Sequence, residues 1–425
     1  MSNTQSIFGK MKIASGHGSH LVTEDGQQIL DACSGAVNVN VGHGNRLVLE
    51  AMKRQLDTIA FAYRAQCTTE PLEELHEALH NLFGNSFTHH LFTNSGSEAL
   101  EQAQRVAWCY HYARGDIRRR VVLAEIPSYH GITYAALSTS GHPVRWRALG
   151  TVPAPDREIF RHVEATGDRD ERAGLSEWQA AISEIGDELA AVVVEPVGGA
   201  SSGAAVCPEG TLRGIRRAAN EVGAVVIADE VMTGFGRLGH WMPSMQNGLA
   251  PDIVAASKGL GAGYYPIGAV LVRPSIAETL EDQPDLGTFG HTMAGSPVAA
   301  ATAVAVLKQL REGDLLASVR DRAPSLRQRL SDAVSECRFL GTPRGDGFLL
   351  AVPIIDNPRL WPRTRNLFLE HAARHDLLLY PAGVDTRTAS VLIAPPLTSS
   401  SADIDELIIK ATQTVMDFHA ERTNS

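Results

Sequence analysis

Six short apolar runs constrain this chain most, because none of them alternates. They are HHLFTN (89–94), RVVLAEI (120–126), AAVVVEPV (190–197), GAVVIADEV (223–231), DIVAAS (252–257) and IGAVLV (267–272). A half-solvated strand carries a polar residue at every second position. Unbroken Val, Ile and Ala describe strands buried on both faces, the habit of parallel sheets. Parallel neighbours need a crossover, and helix-period stretches lie between the runs: SEALEQAQRVAWCYHYAR (97–114), SEWQAAISEIG (176–186) and EGTLRGIRRAANEVG (209–223). The rhythm predicts an α/β sheet with helices on both sides.

The two ends read differently. SHLVTEDGQQILDAC near the N-terminus predicts a hairpin with a DG turn. A long helix is expected from Pro297 to Glu312, then a charged helix, two strands (GDGFLLAVPI and SVLIAPPL) and a last helix. We group residues 1–58 with 306–425 as a smaller α+β domain around a large domain at 59–305. Residues 151–175, polar and proline-containing, are expected to be a surface excursion.

A chain of 425 residues with 20% charged side chains and a net charge of -10 does not look like a nucleic-acid binder. Its one basic cluster, RGDIRRR (114–120), reads as a solvated helix end. The five cysteines (33, 67, 109, 207, 337) are scattered and form no CxxC, as in reduced cytoplasmic proteins. No apolar stretch is long enough to span a bilayer, and the N-terminus lacks a signal-peptide core. The expectation is a cytoplasmic protein with no membrane partner.

Four local features fit one chemistry. NSGSEAL (94–100) follows a strand and opens a helix, so Ser95, Gly96 and Ser97 present N–H groups and hydroxyls at a positive helix end, suited to phosphate. ADEVMTGFGR (228–237) ends a strand in Asp229 and Glu230, where a carboxylate faces the ligand crevice of an open α/β sheet. SYHG (128–131) offers Tyr129 for stacking on a flat ring. Lys258, between an apolar run and three glycines, is a desolvated amine able to attack a carbonyl. Phosphate site, stacking ring, carboxylate and imine-forming lysine together describe a pyridoxal 5'-phosphate (PLP) site. Taken singly, each has an ordinary alternative: a helix cap, a salt bridge or a core aromatic.

Two motifs compete. HEALH (His76 to His80) matches the zinc helix HExxH, with Glu77 as base and Glu98 or Glu101 as a third ligand. Leucines 72, 75, 79 and 82 make the same stretch an ordinary amphipathic helix after Pro71, so no metal is expected. GLGAG (259–263) lacks the full dinucleotide pattern.

In order and spacing, the chain resembles the class III aminotransferases of PLP fold type I. The stretches that carry the resemblance are VNVNVGHGN (37–45), FTNSGSEAL (92–100), SYHG (128–131), VVEPVGGASSGA (193–204), VVIADEVMTGFGRLG (225–239), SKGLGAGYYPIGAV (257–270), the FGHTMAGSP region from 289 and LIAPPL (392–397). The resemblance implies a mainly parallel seven-stranded sheet and an obligate homodimer. It implies that Lys258 holds PLP as a Schiff base and moves protons, and that Asp229 keeps the ring nitrogen protonated. Tyr129 would stack on the ring, while Ser95, Gly96 and Ser97 would bind the phosphate. Thr292 would reach that phosphate from the other subunit, and Glu98 and Glu195 would support the pocket.

Departures from the family bear on substrate. The branch acting on ornithine, acetylornithine and GABA resembles EPIQGE and carries an arginine just before PPL. Here the second glutamate is Ala200, the glutamine is Gly198 and the arginine is Leu392. The pocket therefore looks more like the amine:pyruvate, β-amino-acid or diaminopelargonate branches. Arg387 is the nearest candidate for a substrate carboxylate, with a surface-loop arginine as the alternative. The expected reaction moves an amino group from an amine or amino acid to an oxo-acid or aldehyde. An amino-acid racemase would use the same Lys258 and Asp229, and a zinc peptidase remains a distant third.

Overall fold

The computed structural model describes residues 11–147, 156, 158–165, 172–283, 286 and 290–423. Its centre is a seven-stranded sheet: β1 (His89–Thr93), β2 (Val121–Ile126), β3 (Phe160–Glu164), β4 (Leu189–Val194), β5 (Val225–Asp229), β6 (Ile253–Ala256) and β7 (Gly268–Val272). The spatial order is β1-β7-β6-β5-β4-β2-β3. Only β7 runs against its neighbours; the other six strands point the same way.

Successive side chains of these strands feed two different cores. Val192, Val226, Val254 and Leu271 face the helices Leu175–Ile185, Glu209–Val222 and Pro297–Glu312. Val193, Ile227, Ala255 and Val270 face α1 (Gly96–Ala113) through Ala99, Leu100, Ala103 and Val106. Burial on both faces explains why the strands show no alternation in sequence.

Six of the seven strands coincide with the predicted runs. β3 does not, because it falls inside the stretch 151–175 that reads as a surface excursion. Residues 148–155, 157 and 166–171 lie outside the described residues. Phe160–Glu164, however, pairs in parallel with β2 at the sheet edge. An edge strand is solvated on one side, and FRHVE carries the polar residues that this requires. RGDIRRR is solvated only in part. Arg118 is exposed beside Asp187, but the Arg119 guanidinium donates to the carbonyls of Leu189 (2.8 Å) and Val222 (2.6 Å).

The N-terminal hairpin is present. His20–Thr23 pairs antiparallel with Gln28–Asp31, which pairs in parallel with Leu377–Leu378. The first strands and the last third of the chain thus share one sheet. A second antiparallel sheet joins Arg344–Asp346, Leu349–Pro353, Ser390–Ile393 and Tyr380–Ala382. Among the described residues no helix is long and apolar enough to cross a membrane.

Candidate active site

Because six strands run in parallel, their C-terminal ends gather on one edge of the sheet, where an open α/β fold has its crevice. The chain leaves β1 into Ser95, Gly96 and Ser97, β2 into Tyr129 and His130, β4 into Glu195, and β6 into Lys258; β5 ends in Asp229 itself. Gly96, Ser97, Tyr129, Asp229 and Lys258 line one cavity with Glu195 and His130. All of these stand in the motifs of the sequence, His130 alone without a role there. Ser95 lies just behind the wall as the N-cap of α1, and its Oγ accepts the Glu98 N–H at 3.2 Å. Glu98 returns the favour, its carboxylate accepting the Asn94 N–H at 2.6 Å. This reciprocal cap fixes the start of an 18-residue helix whose free N–H groups face the cavity.

Two glycines are required here. A Cβ on Gly96 would come within 2.7 Å of Val231 Cγ1, and one on Gly131, at φ 131°, within 2.6 Å of Ser97 Oγ. Ser97 Oγ then accepts the Ile132 N–H at 3.1 Å, tying the two loops together. Tyr129 is covered by Arg145, whose guanidinium carbon lies 4.9 Å from the ring centroid.

At the floor, His130 Nδ1 meets Asp229 Oδ2 at 2.7 Å, while Asp229 Oδ1 accepts the Val231 N–H at 3.0 Å. Burial works against a charged His130, yet the Asp229 carboxylate outweighs it and raises the imidazole pKa. His130 Nε2 is buried without a partner. Glu195 accepts the Gly199 N–H at 3.1 Å, and its burial pushes its pKa up to about 7. The two acids that end β5 separate: Asp229 enters the cavity, while Glu230 turns away and accepts from Thr233 and from the Ser244 N–H.

Lys258 Nζ has no hydrogen bond or ion pair among the described residues. Burial lowers its pKa to about 8 against the opposing pull of Asp229 and Glu195. Its backbone holds φ at 29°, a conformation that costs energy in a non-glycine residue and persists where the surroundings enforce it.

Two predicted residues, Thr292 and Arg387, lie elsewhere in the protomer. Thr292 is exposed and does not line the cavity; its neighbour His291 sits 3.3 Å from Glu98 Oε2. Arg387 is held by Asp385, with Nε at 3.0 Å and a second nitrogen at 2.8 Å from one carboxylate oxygen. His76 of HEALH stacks on His90 at 5.6 Å between ring centroids, and no group of three potential metal ligands occurs among the described residues.

The family model for class III aminotransferases matches residues 2–415. The chain belongs to this family. It is 34% identical over 415 residues to an uncharacterized aminotransferase, YodT, of Bacillus subtilis, covering 94% of this chain and 93% of that one. It is 32% identical over 424 residues to the putrescine–pyruvate aminotransferase of Pseudomonas aeruginosa, covering 95% and 90%. Among solved structures, an amine transaminase from an uncultivated Pseudomonas species in its PLP-bound form superposes with a TM-score of 0.88 at 27% identity, covering 99% of this chain and 97% of that one. This is therefore an aminotransferase of fold type I, and class III aminotransferases use PLP.

The residues present fit that cofactor. An unpartnered amine, an anchored carboxylate, an orphaned buried imidazole nitrogen and a helix N-terminus that opens on Gly96 share one cavity. These are donors and acceptors for an aldehyde, a ring nitrogen and a phosphate.

Proposed function

We propose that the chain transfers an amino group from an amine, or from an ω- or β-amino acid, to pyruvate or a similar oxo-acid or aldehyde. The observation that carries the reading is Lys258 Nζ, a cavity amine without a partner and with a depressed pKa. Bound PLP supplies an aldehyde that takes up the donor nitrogen and a ring that draws off the electron pair left on the donor carbon. Lys258 holds the cofactor in the resting enzyme and, as a neutral amine, takes the proton from the donor carbon. Asp229 holds a proton on the ring nitrogen, and His130 and the Val231 N–H keep its carboxylate aimed. Ser95, Gly96 and Ser97 hold the phosphate, and Tyr129 covers a ring face.

The substrate wall supports amine donors. Val197, Ala200, Val231 and Met232 are apolar, and no arginine is among the described lining residues. Such a wall suits a carbon chain and offers nothing to a fixed second carboxylate. The loop that carries Arg387 docks on this wall, the Gly383 N–H donating to Ala200 O at 2.7 Å. Arg387 is the cation for a substrate carboxylate, exchanging Asp385 for it. Thr292 of the partner subunit completes the phosphate site, so the working unit is a homodimer. Five free cysteines fit the cytoplasm as its place of action.

An absorbance titration tests this. The purified chain with PLP should show a near-visible band that amine donors bleach and pyruvate restores. Bleaching by α-amino acids alone, with no response to amines, would overturn the substrate reading.

A further inference from the structure

Arg172 sits behind the cavity wall and is not among its described lining residues. It belongs to the polar stretch GDRDERAGL (167–175) and is nevertheless buried, with 8% of its side chain exposed. Its Nε and one terminal nitrogen fork onto Glu125 Oε2 at 2.9 and 2.6 Å. Its other terminal nitrogen donates to the carbonyls of Glu195 (2.8 Å) and Ala205 (3.3 Å). Glu125 Oε1 accepts the Ala173 N–H at 2.6 Å, so both carboxylate oxygens are used.

The connections matter because of what they join. Glu125 lies near the end of β2, four residues before Tyr129 and five before His130. Glu195 lines the cavity, and Ala205 O also accepts the Gly198 N–H at 2.9 Å, closing the loop that carries Gly199 and Ala200. One buried ion pair therefore clamps the strand end that presents the stacking ring and the Asp229 partner to the loop that presents Glu195 and the substrate wall.

We infer that Arg172, with Glu125 as counter-ion, is a positioning residue that sets the spacing between the Tyr129–His130 segment and the Glu195–Ala200 loop, and through it the tightness of cofactor binding. This rests on reading the cavity as the PLP site. The guanidinium also acts through space. The charged and titratable groups around Glu195 are His130, Asp229, Lys258 and Arg172, with Glu125 and Cys207 against Arg172 itself. Removing the Arg172 cation favours protonated Glu195. Lys258 then loses a stabilising negative charge, and a proton on its nitrogen is released at lower pH.

The test uses the full-length chain loaded with PLP. Arg172→Met should weaken PLP binding by about tenfold, the usual cost of a charge-assisted hydrogen bond to a buried group, and move the pH midpoint of the cofactor band downward. Arg172→Lys keeps the charge and loses the fork. It should retain the wild-type midpoint while still binding PLP a few-fold more weakly. A tie that only stabilises the fold would lower the melting temperature and leave both cofactor readouts in place. A folded Arg172→Met protein with wild-type PLP affinity and midpoint would overturn the inference. If that variant does not fold, Arg172→Lys decides: unchanged PLP affinity overturns it, and weakened affinity with an unmoved midpoint sustains it. Failure of the wild-type chain to take up PLP would overturn the site itself, and the brace with it.

Discussion

His130 Nδ1 lies 2.7 Å from Asp229 Oδ2, and both side chains are closed off from solvent. The Asp229 carboxylate, which ends a central strand inside the cavity, thus raises the imidazole pKa against the opposing cost of burial. Asp229→Asn should lower kcat by about a hundredfold or more while PLP still binds, the scale of a lost proton-holding group. His130→Phe should cost about tenfold, since the carboxylate survives without its guide. Stopped-flow half-reactions with a bleaching donor would rank the two, and wild-type kcat in His130→Phe would remove the imidazole from the mechanism.

Lys258→Ala should abolish turnover, remove the imine band and leave the melting curve close to wild type, because the amine has no partner to lose. Retained multiple turnover would exclude Lys258 as the base.

Glu230 is fully buried with its pKa raised to about 7, and burial is the main cause. A carboxyl raised in the folded state contributes stability that is complete below its unfolded pKa and is lost as pH rises through the folded value. The chain should therefore lose stability between about pH 4.5 and 7, by up to about 3 kcal/mol from this group. His130 acts in the same direction, since its pKa is also raised. Glu230→Gln keeps an acceptor for the Ser244 N–H and should flatten the loss. Denaturant melts of both proteins across this range would show it, and parallel curves would contradict the assignment.

Arg237 is fully buried, and no carboxylate is within ion-pair reach of it among the described residues. It is held by the carbonyls of Phe348 and Pro395, by Asn40 Oδ1 at 2.6 Å and by Ser34 Oγ. Burial lowers its pKa to about 9. Four oxygens from the N-terminal segment and the C-terminal third depend on it, so Arg237→Met should destabilise the fold by about 3 kcal/mol or more. A chemical-denaturation midpoint unchanged by the substitution would show that water replaces the guanidinium.

The sheet was legible because burial on both faces removes polar residues from a strand, and the five inner strands carried that mark. β3 escaped because an edge strand such as FRHVE has none of it. Lys258, Asp229, Tyr129 and the 95–97 loop were legible as strand-end residues of unusual chemistry. That Asp229 and not Glu230 enters the cavity follows from the two-residue period of a strand, which puts neighbours on opposite sides but does not say which side is which. Arg172 was illegible for another reason. Its stretch reads as solvated, and only the fold brings Glu125, 47 residues away, against it.

The parallel pairing of Leu30–Asp31 with Leu377–Leu378 has a consequence for synthesis. The two partners are about 350 residues apart, so the N-terminal hairpin leaves the ribosome tens of seconds before its neighbouring strand exists, at typical elongation rates. Through that interval Ile29 and Leu30, buried in the finished molecule, have no cover of their own. The nascent chain therefore carries an open strand edge for most of its translation, and chaperone dependence should fall on the first thirty residues rather than on the catalytic sheet.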